Sequence, residues 1–514
     1  MTIGESAPTS TAGTDSTETR GRLTSTVGAG TTSGTTSGTT STTTGAGPRP
    51  HRASVRVLEL HGQSQRYAWG SSTAIPELLG VPADGEPVAE LWLGTHPQAP
   101  AEVVEATGPQ HGAGAAGTAT STAGARARAG VTGGPGVVAG ADTAGTDTAG
   151  TDKAASDTAA AVATGPGQPS RRRPAGLGTR RAAADLVGEL PFLLKVLAAD
   201  KALSLQVHPD LAQARAGFDA EQAAGISMGD PRRRYRDRNH KPELIVALTP
   251  FRALAGIRAP AATLAIARGL GHPGLMAAFA PLATDPSGGA TQVLRSLLTL
   301  PPQAGVDLAA GVVSAAERVG PGADEELRRA ADLVRLLAAT HPGDVGIAAA
   351  LLLNDVTLQP GEGLFQPARL LHAYVQGVGI EIMATSDNVL RGGLTPKYID
   401  VNELLRILDP RPTGAPVLRP RTLATGPGGQ LRTWQAPVKD FVLREAVCTG
   451  GPVTVPDPSI LLAVEGQVVI TGTDRAGLPL EPITLNRGCS ALVTGPATLQ
   501  LTGTGRVFAA GARA

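Results

Sequence analysis

The sequence predicts a mainly β protein that carries an α-helical insertion. Short apolar runs rich in branched residues recur along the chain, separated by Gly, Pro and Asn, as in strands joined by tight turns. Between 259 and 349 the apolar positions change to helical spacing. After 409 the strand-like runs resume.

In chain order, residues 1–52 of the 514 are nearly all Thr, Ser, Gly and Ala and are expected to form a disordered tail. So little apolar surface cannot offset the entropy of ordering the segment. Runs at 56–60, 89–94, 193–207 and 243–248 read as strands of a first β domain, assigned to 53–258 and 350–408. A second low-complexity stretch at about 107–183, with the echo Asp142-Thr-Ala-Gly-Thr-Asp147, reads as a disordered insert in that domain. Such inserts are tolerated because loop-closure entropy grows slowly with length.

The segment 259–349 is assigned to a helical domain. In its most regular stretch Leu327, Ala330, Ala331, Val334 and Leu337 share a face, with Asp324 placed to cap the helix. Glu325 is spaced to pair with Arg329, and Pro342-Gly343 ends the run. Runs at 354–358 and 374–383 return to the first β domain. A second β domain is assigned to 409–514, where runs at 460–464 and 467–471 flank Glu465-Gly466, read as a hairpin break. No histidine follows His372, so this last domain is read as structural.

The 45 Lys and Arg nearly cancel the 44 Asp and Glu, leaving a net charge of +1 and no global field for nucleic acid or an anionic membrane. Local basic runs occur at 171–173 and 232–238, and the first, inside the low-complexity stretch, reads as solvated charge. The two cysteines suggest no disulfide framework. With no stretch of about 18 apolar residues and no apolar secretion core at the start, a cytoplasmic setting is expected.

Three of the nine histidines lie in or beside dense polar motifs. In Leu203-Ser-Leu-Gln-Val-His208, strand alternation puts Ser204, Gln206 and His208 on one face. Asn239-His-Lys-Pro-Glu243 and Leu371-His372-Ala-Tyr374 open further apolar runs. One carboxylate, two imidazoles and an amide oxygen suit a borderline divalent ion such as Zn²⁺ with a position left open. Alone, His208 and His372 also read as satisfied core histidines. Arg391 and Lys397, with Asp387 and Asn388, crowd the Gly-rich stretch that follows Glu381. Lys195 and Lys241 add cations, and cations near a metal predict an anionic ligand such as phosphate. A single lysine at a strand end reads equally well as a surface charge.

These motifs resemble type I phosphomannose isomerases, of the cupin superfamily. The resemblance rests on Tyr67-Ala-Trp-Gly70, Ala89-Glu-Leu-Trp92, Leu190-Pro-Phe-Leu-Leu-Lys195, Gln206-Val-His-Pro209 and Asn239-His-Lys-Pro-Glu243. It continues from His372-Ala-Tyr374 to Arg391-Gly-Gly-Leu-Thr-Pro-Lys-Tyr-Ile-Asp400. It implies cupin-type (jelly-roll) β-barrels plus a helical domain. It also implies one Zn²⁺ per chain held by Gln206, His208, Glu243 and His372. The implied reaction interconverts D-mannose 6-phosphate and D-fructose 6-phosphate through a cis-enediol, feeding GDP-mannose synthesis. Arg391 resembles the family's catalytic arginine, and Ser204, Lys195 and Lys397 would lie around the substrate and its phosphate. Tyr374, Glu381 and Asp387 are placed with them. Lys241 is favoured as the base, with His240, Glu381 and Asp387 as other choices. The only partner expected is a small sugar phosphate bound to a monomer, without nucleic acid or membrane. A non-catalytic sugar-binding cupin and a metal-dependent cupin oxygenase are the alternatives.

Overall fold

A computed structural model describes residues 54–105 and 179–513. The expected tail at 1–52 and nearly all of the expected insert lie outside the described residues. The far end of the insert does not. Thr179–Ala182 is a strand paired antiparallel with Glu102–Glu105. Its basic side chains gain partners there, Arg180 reaching Glu102 at 2.8 Å and Arg181 reaching Glu105 at 3.6 Å.

Two antiparallel sheets dominate the described residues. One runs in the order Val417–Leu418, Gly363–Gln366, Glu243–Ala247, His372–Ala384, Phe192–Ala199, Glu90–Leu93 and Gln63–Gln65. The short strands Gln206–Val207, Phe251–Ile257, Leu353–Leu358 and Leu390–Arg391 join it off that path. The other sheet carries the strands after 420 and is extended by Val57–His61, which pairs with Ser490–Val493. The first described strand therefore continues the sheet built by the last ones, and Glu102–Glu105 and Thr179–Ala182 extend it further.

An apolar layer between the sheets fixes which way every central strand faces. Leu194, Val196, Leu244, Val246, Ile380 and Ile382 all join the cluster that contains Leu443, Leu462 and Phe508 of the other sheet. Because side chains alternate along a strand, the residues between them must face the opposite way. Those are Lys195, Glu243, Ile245 and Glu381, so one inner face receives a lysine and two carboxylates. Phe192–Ala199 is buried at every position, which explains why it reads as a continuous apolar run rather than an alternating one.

Seven helices between Pro260 and Ala350 pack as a unit. Their core takes in Leu205, Val207, Leu371, Ala373 and Leu390, the back faces of the strands that carry Gln206, His372 and Arg391. Asp324 caps Glu325–Thr340 by accepting from the Leu327 amide, as its position predicts. Arg329 does not pair with Glu325; it reaches Asp355 at 3.8 Å and donates to that residue's carbonyl at 3.2 Å. A partner fixed on the sheet competes well with an exposed pair along one helix.

Two further expectations are corrected. Gln206–Val207 is a strand of two residues, and Ser204 precedes it in irregular backbone. Glu465-Gly466 is not a hairpin: Ile460–Asp474 runs straight through it, with a register shift between Ala463 and Glu465. Gly466 has φ 69°, the left-handed geometry of a bulge that adds a residue without reversing the chain.

The long strand His372–Ala384 serves two neighbourhoods, pairing first with Phe251–Ile257 and then with Phe192–Ala199 and Glu243–Ala247. Gly377 marks the change, with φ 128° and no room for a side chain, since a Cβ would lie 2.8 Å from Phe251 Cα. Gly377→Ala is expected to destabilise the protein by about 1–3 kcal/mol, the usual cost of a strained backbone. An unchanged chemical-denaturation midpoint would show that the strand does not need this bend.

Candidate metal centre and active site

The inner face of the first sheet gathers charge in rows set by register. Trp92, Lys195, Glu381 and Ile245 lie side by side on successive strands. The next row places Leu193, Met383, Glu243 and Gln366 together. Two short additions bring the imidazoles. His372 opens its strand opposite Gln206, and Gln206 is in turn opposite Arg391. His208 follows Val207 and precedes Pro209, just before Asp210 caps the helix Leu211–Ala223 with a capping box.

His208, Glu243 and His372 converge, with donor atoms all within 4.8 Å of one another and all three side chains buried. His208 Nε2 is 3.5 Å from Glu243 Oε1, and His372 Nε2 is 3.2 Å from Glu243 Oε2. Each imidazole donates its other nitrogen to a backbone carbonyl: His208 Nδ1 to Asn388 O at 2.7 Å, His372 Nδ1 to Leu370 O at 3.0 Å. Those bonds place the proton on Nδ1 and leave the Nε2 lone pairs aimed inward. His208 Nε2, His372 Nε2 and Glu243 Oε2 consequently have no hydrogen-bond partner although buried. Three buried acceptors facing one another are costly without a cation. Nitrogen and oxygen donors in this arrangement fit Zn²⁺, and the register adds Gln206 as the fourth candidate.

Electrostatics agree with that fit. Burial drives the His208 pKa down to about 4, keeping the ring neutral. Burial opposes ionisation of Glu243 as well, but Lys241 and the imidazole of His208 hold its carboxyl well below the usual range. Lys241 Nζ lies 3.1 Å from Glu243 Oε1.

Beside this centre runs a chain of buried polar groups. Lys195 Nζ is 2.9 Å from Glu381 Oε2 and 3.4 Å from Glu90 Oε1, and it lies over the Trp92 ring. Lys195 is thus not a surface lysine. Burial disfavours its charge, yet Glu381 and Glu90 raise its pKa above the ordinary value. Tyr374 donates to Glu381 Oε1 at 2.8 Å, and its hydroxyl also lies 2.8 Å from the Gln366 amide. Burial raises the Glu381 carboxyl despite Lys195, and burial next to Glu381 raises the Tyr374 phenol.

The remaining predicted residues are spread around the cluster. Ser204 lies between two residues whose amides bind Tyr374 O and Gly393 O. Asp387 is 3.4 Å from His96 and accepts from Gln98 Nε2 at 2.7 Å. Burial opposes its charge, but the bond from His96 lowers its pKa. Among the described residues no hydrogen bond or ion pair holds the Arg391 guanidinium. Burial and nearby Arg236 make its charge less favourable than usual. Lys397 lies on the exposed turn that follows, its amide donating to Thr395 Oγ1 at 3.2 Å.

Glu90 and Trp92 entered the sequence reading only within the motif Ala89-Glu-Leu-Trp92, without a site role, and Gln366 not at all. Glu90 had a usable signal, an acid in the otherwise apolar run Val88 to Leu93, where Trp92 Nε1 donates to it at 2.7 Å. Gln366 had none, because nothing local in Gly-Leu-Phe-Gln marks its register with Glu243.

Residues 57–121 and 175–260 match the family described as phosphomannose isomerase type I, catalytic domain. Mannose-6-phosphate isomerase of Salmonella typhimurium is 33% identical over 460 residues, spanning 88% of this chain and 98% of its own. That of Escherichia coli is 33% identical over 420 residues, spanning 80% and 90%. The Bos taurus protein is 29% identical over 458 residues, spanning 84% and 92%. Among solved structures, an alanine variant of the Salmonella typhimurium phosphomannose isomerase aligns with a TM-score of 0.66 at 28% identity, covering 90% of this chain and 100% of its own. A zinc-bound mannose 6-phosphate isomerase aligns with the same score and identity, covering 89% and 100%. The chain belongs to the type I phosphomannose isomerase family.

Proposed function

We propose that this protein is a zinc-dependent aldose–ketose isomerase that interconverts D-mannose 6-phosphate and D-fructose 6-phosphate. The observation that carries this reading is the set of three unpartnered buried acceptors, on His208, Glu243 and His372, beside a buried lysine–carboxylate pair. With Gln206 they would hold the metal. A divalent ion bound there supplies polarisation of the substrate's carbonyl and hydroxyl oxygens.

The chain's own groups account for the rest of the reaction. A base takes the proton from C2 of the aldose and returns it to C1, while a hydroxyl proton passes from O2 to O1. Lys241, beside Glu243, is assigned as that base. Glu381 is the second choice, favoured by a buried carboxyl whose pKa is raised. Arg391 has no partner among the described residues and is assigned to the negative charge that develops on the enediolate. Lys195 is already held between two carboxylates, so it is assigned to orienting Glu381. The phosphate falls to Ser204 and Lys397 on the outer side, with Asp387 and Tyr374 shaping the wall.

Two histidines and one carboxylate are also the ligand set of some iron oxygenases. The kinship with sugar-phosphate isomerases disfavours that alternative, and a non-catalytic sugar-binding role with it. Cys448 and Cys489 are both free, which accords with a cytoplasmic setting where thiols stay reduced. Among the described residues no helix is long and apolar enough to cross a membrane.

Chelation of purified protein should abolish conversion of mannose 6-phosphate, and zinc should restore it. Absence of turnover in zinc-replete protein would refute the proposed activity. Arg391→Ala should lower kcat by about 100- to 1,000-fold with zinc still bound, the usual effect of removing a donor to a developing oxyanion. A kcat like that of the unmodified enzyme would remove the arginine from the mechanism. For the base, Lys241→Met should lose one limb of the pH–kcat profile. If Glu381→Gln loses that limb instead, the assignment passes to the carboxylate.

A further inference from the structure

Asn388 is fully buried, and its head group joins segments that are distant in sequence. Its Oδ1 accepts from the Arg236 amide at 2.7 Å and the Asp237 amide at 3.3 Å. Its Nδ2 donates to Asp237 O at 3.0 Å, Asp237 Oδ1 at 3.1 Å and Asn239 O at 2.8 Å. One planar amide thus clamps the backbone from 236 to 239, immediately before Lys241 and Glu243. The carbonyl of the same residue accepts the His208 Nδ1–H at 2.7 Å. Three residues later the chain reaches Arg391.

A second set of bonds fixes the clamp. Ser386 Oγ accepts from the Asn388 amide at 3.2 Å and donates to Asp237 Oδ1 at 2.9 Å. The Asp237 carboxylate also accepts from the Asp387 amide at 2.7 Å and from the Asn239 amide at 2.8 Å. The Asn388 carbonyl that accepts from His208 therefore belongs to the residue whose side chain holds the backbone leading to Lys241 and Glu243.

We propose that Asn388 is a positioning residue for the metal centre: its carbonyl orients His208 while its side chain fixes the approach to Lys241 and Glu243. The assignment depends on chemistry that only an amide offers. The site needs an acceptor for two amides and two N–H donors shared among three oxygens on one side chain of this size. Aspartate would turn a second carboxylate oxygen towards Asp237 Oδ1 and two carbonyls. Alanine would leave buried amides and carbonyls from 236 to 239 without partners. The proposal rests on the zinc site of the preceding section.

Zinc affinity measured against a competing chelator tests it, together with kcat and KM. Asn388→Ala should bind zinc about 10- to 100-fold more weakly, the range seen when groups that orient metal ligands are removed. Its kcat should fall with KM little changed, and Asn388→Asp should not rescue either. A merely structural residue would lower the melting temperature and leave zinc affinity and kcat of the folded protein unaltered; that result would overturn the proposal. Should Asn388→Ala fail to fold, Ser386→Ala removes the hydroxyl that links the Asn388 amide to Asp237. It should then weaken zinc binding measurably, and an unchanged affinity there would equally overturn the proposal. Failure of the unmodified protein to bind zinc would instead sink the metal site itself, and the two failures are thereby told apart.

Discussion

A carboxylate buried against two imidazole lone pairs is the constraint on which the arrangement of this molecule depends. His208, His372 and Glu243 turn unpartnered acceptors towards one point, an arrangement that their own mutual interactions disfavour. Lys241 at 3.1 Å supplies one positive charge, but it reaches only one oxygen of Glu243. The energy that forces the three side chains inward comes from elsewhere. Apolar neighbours of each of them, Val207 before His208, Leu244 after Glu243, and Leu371 and Ala373 on either side of His372, are committed to cores. Alternation along a strand then leaves the functional side chains no other direction.

That division explains why the molecule needs both the helical segment and the second sheet. The helices cover the back of the strands bearing Gln206, His372 and Arg391. The second sheet covers the back of those bearing Lys195, Glu243 and Glu381. Each contributes burial, and burial gives the site its low effective dielectric, in which the Lys195–Glu381 pair and the proposed metal site act more strongly than they would in water. The second sheet also touches the site more directly. Asp440 holds His240 Nε2 at 3.1 Å, one residue before Lys241.

Much of this was legible in the sequence wherever period and chemistry coincided. His208, Glu243 and His372 each begin or end an apolar run among other polar residues, which marked them as candidate ligands, and the structure brings the three together. The helix at 324–340 was legible for the same reason, with its cap in place and Leu333 added to its buried face. What stayed hidden depends on partners far along the chain. Lys195 reads as a strand-end lysine until Glu90 and Glu381 are seen beside it, 105 residues before it and on a strand across the sheet. Arg329 reads as half of a helical pair until Asp355 is found within reach. Glu465-Gly466 carries the residues of a turn, and only pairing on both sides by Ala497–Gly511 makes it a bulge instead.

Asn388 shows the limit of motif reading most clearly. In the sequence it is one polar residue in a crowded Ser-Asp-Asn stretch, with Asp387 and Arg391 more conspicuous beside it. Its weight comes from bonds spanning roughly 150 residues to the segment before Lys241 and 180 to His208. Those bonds tie the ring of a metal ligand and the approach to the neighbouring lysine to one residue. A site assembled from three separated segments needs such a common reference, because strand register fixes side chains to a row but does not fix the tilt of a ring. The loop from Thr385 to Asn388 meets that need at the point where the chain turns towards Arg391.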